Sequence, residues 1–266
     1  MGSGNRPIKY YNSPVDLSNE ILSELILCNA DNSTINNVTI KGSETLKNNG
    51  FLVLRTDNST FTNINSSNNY YGIYMDYSSN NTLTSNNASS NNNNGIWLYS
   101  SSNNNTLTNN TASNNNYGIC LWDSSNNTLY CNNFINNTNY NAYDNAYDTS
   151  TNQWNTNSKG NYYSDYTGSD NNSDGIGDTS YQISGGSSID YFPLMHLWEK
   201  PPLKGDLDDD SQITSKDAAI VLEIAVGSRP CNSQILAIAD VSGDGRVSSL
   251  DALMILQMAS SIQKKL

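Results

Sequence analysis

Gly72-Ile73-Tyr74-Met75, Gly95-Ile96-Trp97-Leu98 and Gly118-Ile119-Cys120-Leu121 decide the fold of this chain. They share the pattern Gly-apolar-x-apolar, and successive copies begin 23 residues apart. An earlier copy begins at Gly50. A second pattern, Thr followed by an apolar residue, advances at nearly the same step, with its apolar residue at Ile35, Phe61, Leu83, Leu107 and Leu129. Two patterns that advance together indicate one structural unit repeated along the chain.

The repeated unit consists of short alternating segments separated by clusters of Asn and Ser. Such segments are too short for a helical repeat and are typical of strands joined by turns. A leucine-rich repeat has a similar length but needs more leucines in each unit. We therefore predict an all-β, right-handed parallel β-helix with about 23 residues per coil, whose strands stack ~4.8 Å apart.

Asparagine occupies 46 positions, most of them between the predicted strands. Asn tolerates the left-handed backbone conformation that tight turns require. Its amide can also bond the equivalent Asn of the next coil, as in stacked amide ladders. We therefore expect Asn both to form the turns and to connect them.

Composition excludes several classes of function. A formal charge of -12 and a pI near 4.2 argue against nucleic acid, because binding phosphates needs a basic surface. No apolar run reaches the ~18 residues of a membrane span, so no membrane insertion is expected. The cysteines, Cys28, Cys120, Cys131 and Cys231, lack the CxxC spacing of zinc sites. The chain has eleven Asn-x-Ser/Thr sequons, at Asn32, Asn37, Asn58, Asn65, Asn80, Asn87, Asn104, Asn109, Asn126, Asn136 and Asn171.

Residues from about 30 to 196 resemble the NosD-like β-helix repeats of archaeal cell-surface proteins. The likeness extends to an aromatic closing segment at 160–166, 174–178 and 188–194. The resemblance implies a domain at 1–196, with residues 1–30 covering one end of the solenoid and residues 152–196 the other. It also implies an extracellular or cell-surface location. Copper binding, which the family name implies, is not expected, because His196 is the single histidine.

The predicted β-helix lacks the residues of a sugar-cleaving site. Between Asn58 and Tyr143 the charged residues are Asp76 and Asp123. Glycoside hydrolysis needs two carboxylates ~5–9.5 Å apart, whereas strand alternation points these two to different sides. We therefore predict no catalytic residues. A polysaccharide hydrolase or lyase carried to a scaffold is the alternative function.

An aromatic strip is the second feature of the predicted β-helix. If the residues after each repeat glycine point inward, Tyr74, Trp97 and Cys120 form one outward column, and Asp76, Tyr99 and Trp122 form the next. Exposed rings stack on sugars, so we identify a candidate glycan-binding set. The alternative is that the rings stack on one another and stiffen the coil. The candidate set is Tyr74, Trp97, Tyr99 and Trp122.

Composition changes after His196, where Pro201-Pro202 favours a short, stiff linker over 197–204. Beyond it, two copies of an EF-hand-type calcium loop lie 34 residues apart, each supplying oxygen ligands from alternate positions. Both have Asp at position 12 rather than Glu, and an amphipathic helix follows each. The predicted ligands are Asp206, Asp208, Asp210, Gln212, Thr214 and Asp217 in loop one, and Asp240, Ser242, Asp244, Arg246, Ser248 and Asp251 in loop two.

These two copies, with position 12 occupied by Asp, make residues 205–266 resemble a dockerin, which implies a small all-α calcium-binding domain whose partner is a cohesin. By that resemblance the cohesin-contacting residues are Ser215, Lys216, Leu222 and Glu223 in the first copy and Ser249, Leu250, Leu256 and Gln257 in the second. An ordinary solvated helix surface is the alternative interpretation of these eight residues.

The predicted calcium sites are not equal. Loop one offers four ligand carboxylates but has Ser211 where glycine is expected, at a left-handed position. Loop two keeps Gly245 but has Ser242 in place of an acid, so we expect it to bind more weakly. A third candidate site in the closing segment consists of Asp170, Asn172, Asp174, the carbonyl of Ile176, and Asp178. Its alternative is an Asx-rich turn.

Overall fold

The computed structural model describes residues 1–43, 45, 47–145, 152–199, 202–208 and 212–263, with side chains through 260. The chain divides into two compact units, Met1–Glu199 and Lys200–Leu266. Lys200 and Pro201 of the predicted linker, and Asp210 and Ser211 of loop one, lie outside the described residues.

The first unit is built of short strands, and the second of helices. The strands are β1 Ile8–Tyr11, β2 Asp16–Ser18, β3 Ile21–Leu22, β4 Glu24–Cys28, β5 Thr34–Asn36, β6 Thr39–Lys41, β7 Phe51–Leu54, β8 Thr60–Thr62, β9 Asn65–Ser67, β10 Ile73–Asp76, β11 Thr82–Thr84, β12 Asn94–Tyr99, β13 Thr106–Thr108, β14 Thr111–Ser113, β15 Tyr117–Trp122, β16 Thr128–Tyr130, β17 Asn133–Ile135, β18 Tyr140–Asn145, β19 Tyr162–Tyr163, β20 Tyr181–Gln182 and β21 Ile189–Asp190. A 3₁₀ turn precedes them at Ser3–Asn5, and the helices are α1 Ser215–Ala225, α2 Ser233–Ala239 and α3 Ser249–Gln263.

The strands form a parallel β-helix of about five turns with about 23 residues per turn, as predicted. Its long face is a seven-stranded parallel sheet in the order β1-β4-β7-β10-β12-β15-β18. A second face is six-stranded, in the order β16-β13-β11-β8-β5-β2, and the third consists of the three-stranded sheets β3-β6-β9 and β14-β17-β19. Residues 8–28, which fall in the expected covering segment, form strands in register with the following coil.

The core confirms the repeat interpretation. Ile73, Ile96 and Ile119 are paired in register on successive coils, and all are fully buried. Leu83 and Leu107, from the Thr-apolar pattern, are aligned and buried on the second face. Each coil therefore adds one layer of apolar side chains to a continuous core, which no single coil could bury by itself.

Buried asparagines form three ladders along the helix, as the sequence predicts. In the first, the backbone N–H of Asn81, Asn105 and Asn127 donates to the Oδ1 of the next member, ending at Asn152, over 2.8, 2.8 and 2.9 Å. Each amide also donates through Nδ2 to a backbone carbonyl of the preceding coil. The second ladder runs Asn86, Asn110, Asn132 and Asn161, and the third runs Asn69, Asn91, Asn115 and Asn137.

Each ladder ends on a carboxylate of the closing segment or the strand beside it. Asn152 Nδ2 donates to Asp144 Oδ1 at 3.0 Å, and the backbone N–H of Asn161 donates to Asp190 Oδ2 at 2.8 Å. The third ladder passes through Asn141, whose Nδ2 donates to Asp165 at 2.7 Å. Because the backbone N–H of each ladder asparagine donates to the asparagine of the next coil, the series must end, and at each end a carboxylate accepts from the last asparagine.

Candidate functional site

Loop one brings three carboxylates together at the start of the second unit. Ligand oxygens of Asp206, Asp208 and Asp217 all lie within 4.8 Å of one another, although the three residues span twelve positions. Asp206 and Asp217 are buried and Asp208 is half-buried. Like charges at this distance repel one another strongly when they are shielded from water. The cluster therefore fits a divalent cation that takes oxygen ligands.

The position of Asp217 is set by the beginning of α1. Thr214 is the N-cap of that helix, and Asp217 closes a capping box with it, its Oδ2 accepting the Thr214 backbone N–H at 2.8 Å. Its other oxygen accepts the N–H of Leu207 at 2.7 Å. The capping box thus fixes a carboxylate of position 12 against the first turn of the loop.

The oxygen ligands of loop one suit the calcium ion that the loop pattern predicts. Calcium is a hard cation that takes six to eight oxygens, so carboxylates, a hydroxyl and backbone carbonyls suit it. Asp206, Asp208 and Asp217 would hold the ion, together with oxygens of Gln212 and Thr214. The bound ion would supply charge neutralisation and cross-link the two ends of the loop. Asp210 lies outside the described residues.

Loop two has the same turn but a looser set of carboxylates. Asp240 accepts the N–H groups of Gly243, Asp244 and Gly245, and Ser242 donates its hydroxyl to Asp240. Burial alone would raise the pKa of Asp240, but these hydrogen bonds hold it below its ordinary value. Asp251 is buried and caps α3 through Ser248. Asp244 is exposed, and the described part of loop two does not bring three carboxylates together.

The third candidate segment folds like loop two. Asp170 accepts the N–H of Asp174 and Gly175 at 3.2 and 2.9 Å, as Asp240 accepts those of Asp244 and Gly245. The glycine has a φ of 83° in both. Asn172 donates to Asp174, and Ile176 donates its N–H to Asp174. Asp178 accepts from Asn171, and the carboxylates of Asp170, Asp174 and Asp178 do not lie as close together as those of loop one.

The predicted cohesin-contacting residues all lie at the surface of α1 and α3. These helices pack through Ala218, Val221, Ala252 and Ile255, with Ala239 of α2, which leaves their other faces exposed. Leu222, Leu250 and Leu256 are 44, 49 and 39% exposed. Ser215, Lys216, Glu223, Ser249 and Gln257 are also exposed, and Lys216 pairs with Asp208 at 2.6 Å.

Two exposed apolar residues of this surface were missed by the sequence reasoning. Leu253 is 52% exposed one turn after Leu250, and Val226 is 78% exposed at the end of α1. The i, i+3 spacing of Leu250 and Leu253 is the signal that identifies Leu253. Its helix therefore presents a wider apolar face than α1 does at the equivalent position, where Lys216 and Ala219 stand.

The predicted aromatic columns lie in register on the long sheet. Tyr74 pairs with Trp97, Trp97 with Cys120, and Tyr99 with Trp122. The rings of Tyr74 and Trp97 are 5.0 Å apart, and those of Trp97 and Tyr99 are 5.1 Å apart. Tyr71, which the sequence reasoning missed, stacks on Tyr74 at 5.4 Å. The rings therefore contact one another while keeping one half-exposed surface.

Two buried polar atoms of this cluster have no hydrogen-bond partner, Oδ1 of Asp76 and Nε1 of Trp97. Burial raises the pKa of the Asp76 carboxyl above its ordinary value, although nearby Arg55 acts in the opposite direction. Burial likewise raises the pKa of Tyr74. A buried acceptor and a buried donor without partners each reduce the stability of the fold.

Cys120 and Trp122, the remaining residues of the two columns, do not add a reactive group to the aromatic cluster. Cys120 is 5% exposed, and burial raises the pKa of its thiol to about 12, which keeps it protonated. Trp122 is 39% exposed and stacks on Tyr143 at 6.2 Å. Asp123 stands in a turn with a φ of 51°, one position beyond the strand register that Asp76 occupies. The two aspartates therefore belong to different columns.

Copper does not fit the residues present. A copper site needs clustered imidazole or sulfur ligands, whereas His196 has Met195, Tyr162 and Trp198 around it in an open pocket. In the described ranges, loop one is the sole place where three or more His, Cys, Asp or Glu side chains converge. We derive no role for copper in this chain.

Two family models match the chain. Residues 10–168 match the model described as periplasmic copper-binding protein (NosD), and residues 204–258 match the dockerin type I domain. No curated protein matches the chain. No helix in the described part of the chain is both long and apolar enough to span a bilayer. The chain therefore belongs to the NosD family of β-helix proteins and carries a type I dockerin domain at its C-terminal end.

Proposed function

We propose that this protein is a secreted or cell-surface scaffold, non-catalytic itself, that attaches to a larger assembly through a calcium-dependent contact between its dockerin and a cohesin. A dockerin domain implies a cohesin partner, and dockerin proteins are generally extracellular or on the cell surface. The observation that carries the proposal is the convergence of Asp206, Asp208 and Asp217. These carboxylates hold the loop folded only when a cation neutralises them.

Two calcium ions in the dockerin and a third in the β-helix are proposed. The convergent carboxylates support loop one as the tighter site. In loop two, Ser242 stands where loop one has Asp208, and it donates its hydroxyl to Asp240. The likeness of the hydrogen bonds at Asp170 to those at Asp240 supports the third ion.

The cohesin is proposed to contact the eight predicted residues on α1 and α3. Exposed Leu222 and Leu256 occupy equivalent positions in the two copies, so each copy presents an apolar anchor. Apolar side chains that stay exposed in a small domain mark an interaction surface. Lys216 and Leu250, also equivalent in position, differ in charge and should make the two copies unequal.

Leu256→Ser is expected to weaken cohesin binding by about tenfold, since losing one buried leucine contact costs ~1.5 kcal/mol. Binding of the full chain to a panel of type I cohesin domains, by biolayer interferometry in calcium, measures it. Leu197→Ser is the matched control, because Leu197 is 50% exposed but lies outside the dockerin. Chelation should abolish binding, and cohesin binding that persists in chelator would contradict the proposal.

A specific observation supports the proposal that the β-helix is not catalytic. Asp76 and Asp123 are the only charged residues over the central coils, and they stand in different columns. An acid and a base that act on one glycosidic bond must face the same substrate. A polysaccharide hydrolase or lyase remains the alternative. Release of reducing ends or unsaturated products from a polysaccharide panel would establish it.

Glycan binding by the aromatic cluster is a second candidate function, and the half-exposed rings of the cluster favour it, because exposed aromatic rings stack on sugars. The rings of Tyr74, Trp97 and Tyr99 would provide the apolar platform. Trp122, stacked on Tyr143, would extend that platform towards the next coil.

Trp97→Phe is expected to weaken glycan binding about fivefold, because the smaller ring loses ~1 kcal/mol of stacking on a sugar. Trp122→Ala should weaken binding similarly by removing a platform ring. A glycan array followed by titration of the best ligand measures both. Tyr191→Ala is the control, since Tyr191 is 61% exposed but lies in the closing segment. If the array shows no ligand, or if Trp97→Phe binds like the parent chain, the glycan proposal fails.

A further inference from the structure

Five sequon asparagines stand above one another at the same tight turn of five successive coils and form a single column. All five have left-handed backbone conformations, with φ between 54 and 61°. The backbone N–H of each of the first four donates to the residue just before the next member of the column, as Asn32 does to Asp57 and Asn80 does to Asn103. The members of this sequon column are Asn32, Asn58, Asn80, Asn104 and Asn126.

The coil itself explains why a sequon recurs at this turn. Each column asparagine is followed by a buried residue. It is a first-ladder asparagine in the last three coils, such as Asn81 after Asn80, and in the first two it is Ser33 or Ser59, which extend that ladder. The third residue is a threonine that begins a strand of the second face, such as Thr82 of β11. Exposed Asn, buried ladder residue and strand Thr together make Asn-x-Thr at every coil.

Accessibility separates the sequon asparagines from the ladder asparagines. Ten of the eleven sequon asparagines are exposed, and Asn109 is half-buried. No member of the three ladders begins a sequon. The side-chain amides of the sequon column make no hydrogen bond within the described structure, whereas the adjoining ladder amides are fully engaged. Composition alone would distribute sequons over both groups.

We propose that the sequon column is a site of N-linked glycosylation in which alternate coils are modified. In each transfer, Asn Nδ2 forms a bond to the anomeric carbon of a saccharide carried on a polyprenyl phosphate. The bond from that carbon to the phosphate oxygen breaks, the lipid phosphate leaves, and the amide loses one proton. The reaction uses a membrane oligosaccharyltransferase, so the inference rests on the proposed extracellular location.

Alternation follows from the spacing of the coils. Neighbouring column members lie one strand spacing apart, ~4.8 Å, which is narrower than a substituted sugar ring. Members two coils apart have twice that room. Asn32, Asn80 and Asn126 are therefore compatible with one another, as are Asn58 and Asn104. If sugars were attached at adjacent coils, those coils could not stack normally. Folded molecules should therefore not carry sugars at adjacent coils, whether the sugar is transferred before or after folding.

Glycopeptide mapping of the full chain, secreted from a host with an oligosaccharyltransferase, tests the inference. Thr82→Val removes the Asn80 sequon without changing the left-handed asparagine. It should abolish modification of Asn80 and raise the occupancy of Asn58 and Asn104. Thr84→Val is the matched control, because Thr84 lies on the same strand, two residues on, but completes no sequon. It should leave the occupancy of the column as in the parent chain.

The outcomes separate this inference from the proposed function. The inference would be overturned if every asparagine of the column were unmodified. It would also be overturned if adjacent members were modified on the same molecule as often as expected for independent sites. An unchanged occupancy of Asn58 and Asn104 in Thr82→Val would overturn the alternation. Cohesin binding is measured on the same secreted chains. A chain that binds cohesin but carries no glycan contradicts only the further inference, whereas a glycosylated chain that fails to bind contradicts the dockerin proposal.

Discussion

Removing calcium from the full chain is expected to abolish its helical circular dichroism while leaving its tryptophan fluorescence unchanged. All α-helices of the described structure belong to the second unit, and all four tryptophans belong to the first. The two signals therefore report the two units separately. The second unit has a small core of Ala218, Val221, Ala239, Ala252 and Ile255, too little to fold such a domain securely without help.

The calcium contribution is large relative to that core. An ion present at 100 times its dissociation constant stabilises the folded state by ~2.7 kcal/mol at each site. Without it, the carboxylates of Asp206, Asp208 and Asp217 repel one another inside the loop. The helix signal should return when calcium is added back. A helix signal that survives chelation would show that calcium is not structural in this unit.

Asp217→Asn should remove much of the helix signal at calcium concentrations that saturate the parent chain, because loop one no longer binds its ion. The amide loses a ligand charge and one of the acceptors that hold Leu207 and Thr214, at a cost of about 3 kcal/mol. Glu223→Gln is the control, an exposed acid of the same helix. Calorimetry of the parent chain should resolve unequal affinities, with the tighter one lost in Asp217→Asn. Equal affinities at the two dockerin loops would contradict the proposed difference between them.

The β-helix is expected to lose stability as pH rises from 4 to 6 because of Asp190. Burial raises the pKa of Asp190 from 3.8 to about 6, even though the N–H groups of Phe192 and Asn161 and the hydroxyl of Tyr163 donate to it. In this interval the folded chain holds a proton that the unfolded chain has released. The unfolding free energy therefore falls with rising pH, by about 3 kcal/mol in total.

Asp190→Asn should remove this pH dependence. Its amide cannot accept all three of these hydrogen bonds, so the variant should be less stable than the parent chain at pH 4. That difference should shrink by ~2.4 kcal/mol between pH 4 and pH 7, as the parent chain loses its proton. Denaturation followed by tryptophan fluorescence measures it, since Trp154 is fully buried beside the end of the first ladder.

Asp16→Asn controls for the change in net charge, because Asp16 is exposed on β2. A difference between parent and Asp190→Asn that stays constant from pH 4 to pH 7 would contradict the role given to Asp190. Chelator in all samples removes any contribution of the calcium loops to the signal.

Repetition is the reason that so much of the fold could be predicted. A pattern such as Gly-Ile-Tyr-Met places Ile73 and Met75 inward by strand alternation alone, and each further copy repeats the same placement on the next coil. The amide ladders follow by the same logic, since equivalent asparagines of stacked coils must lie above one another. The two dockerin loops could be located in the sequence for a similar reason, because the ligands of such a calcium loop come from one short stretch of chain.

The ends of the ladders could not be predicted in this way. Asp165 and Asp190 lie in the closing segment, where the two repeat patterns no longer mark which residue stands above each asparagine. The sequence also left open whether the aromatic rings contact one another, and the structure shows that they do. No pattern in the sequence indicates that Oδ1 of Asp76 and Nε1 of Trp97 lack hydrogen-bond partners.

By itself the sequence determined the coil length, the inward residues, the turn asparagines and the place of the dockerin domain, because each depends on neighbours within one repeat or one loop. Only the tertiary structure decided which carboxylate ends each ladder, how closely Asp206, Asp208 and Asp217 approach, and which polar atoms stay unsatisfied. Those features depend on distances between side chains in the folded chain, and no pattern of residues along the sequence encodes such distances.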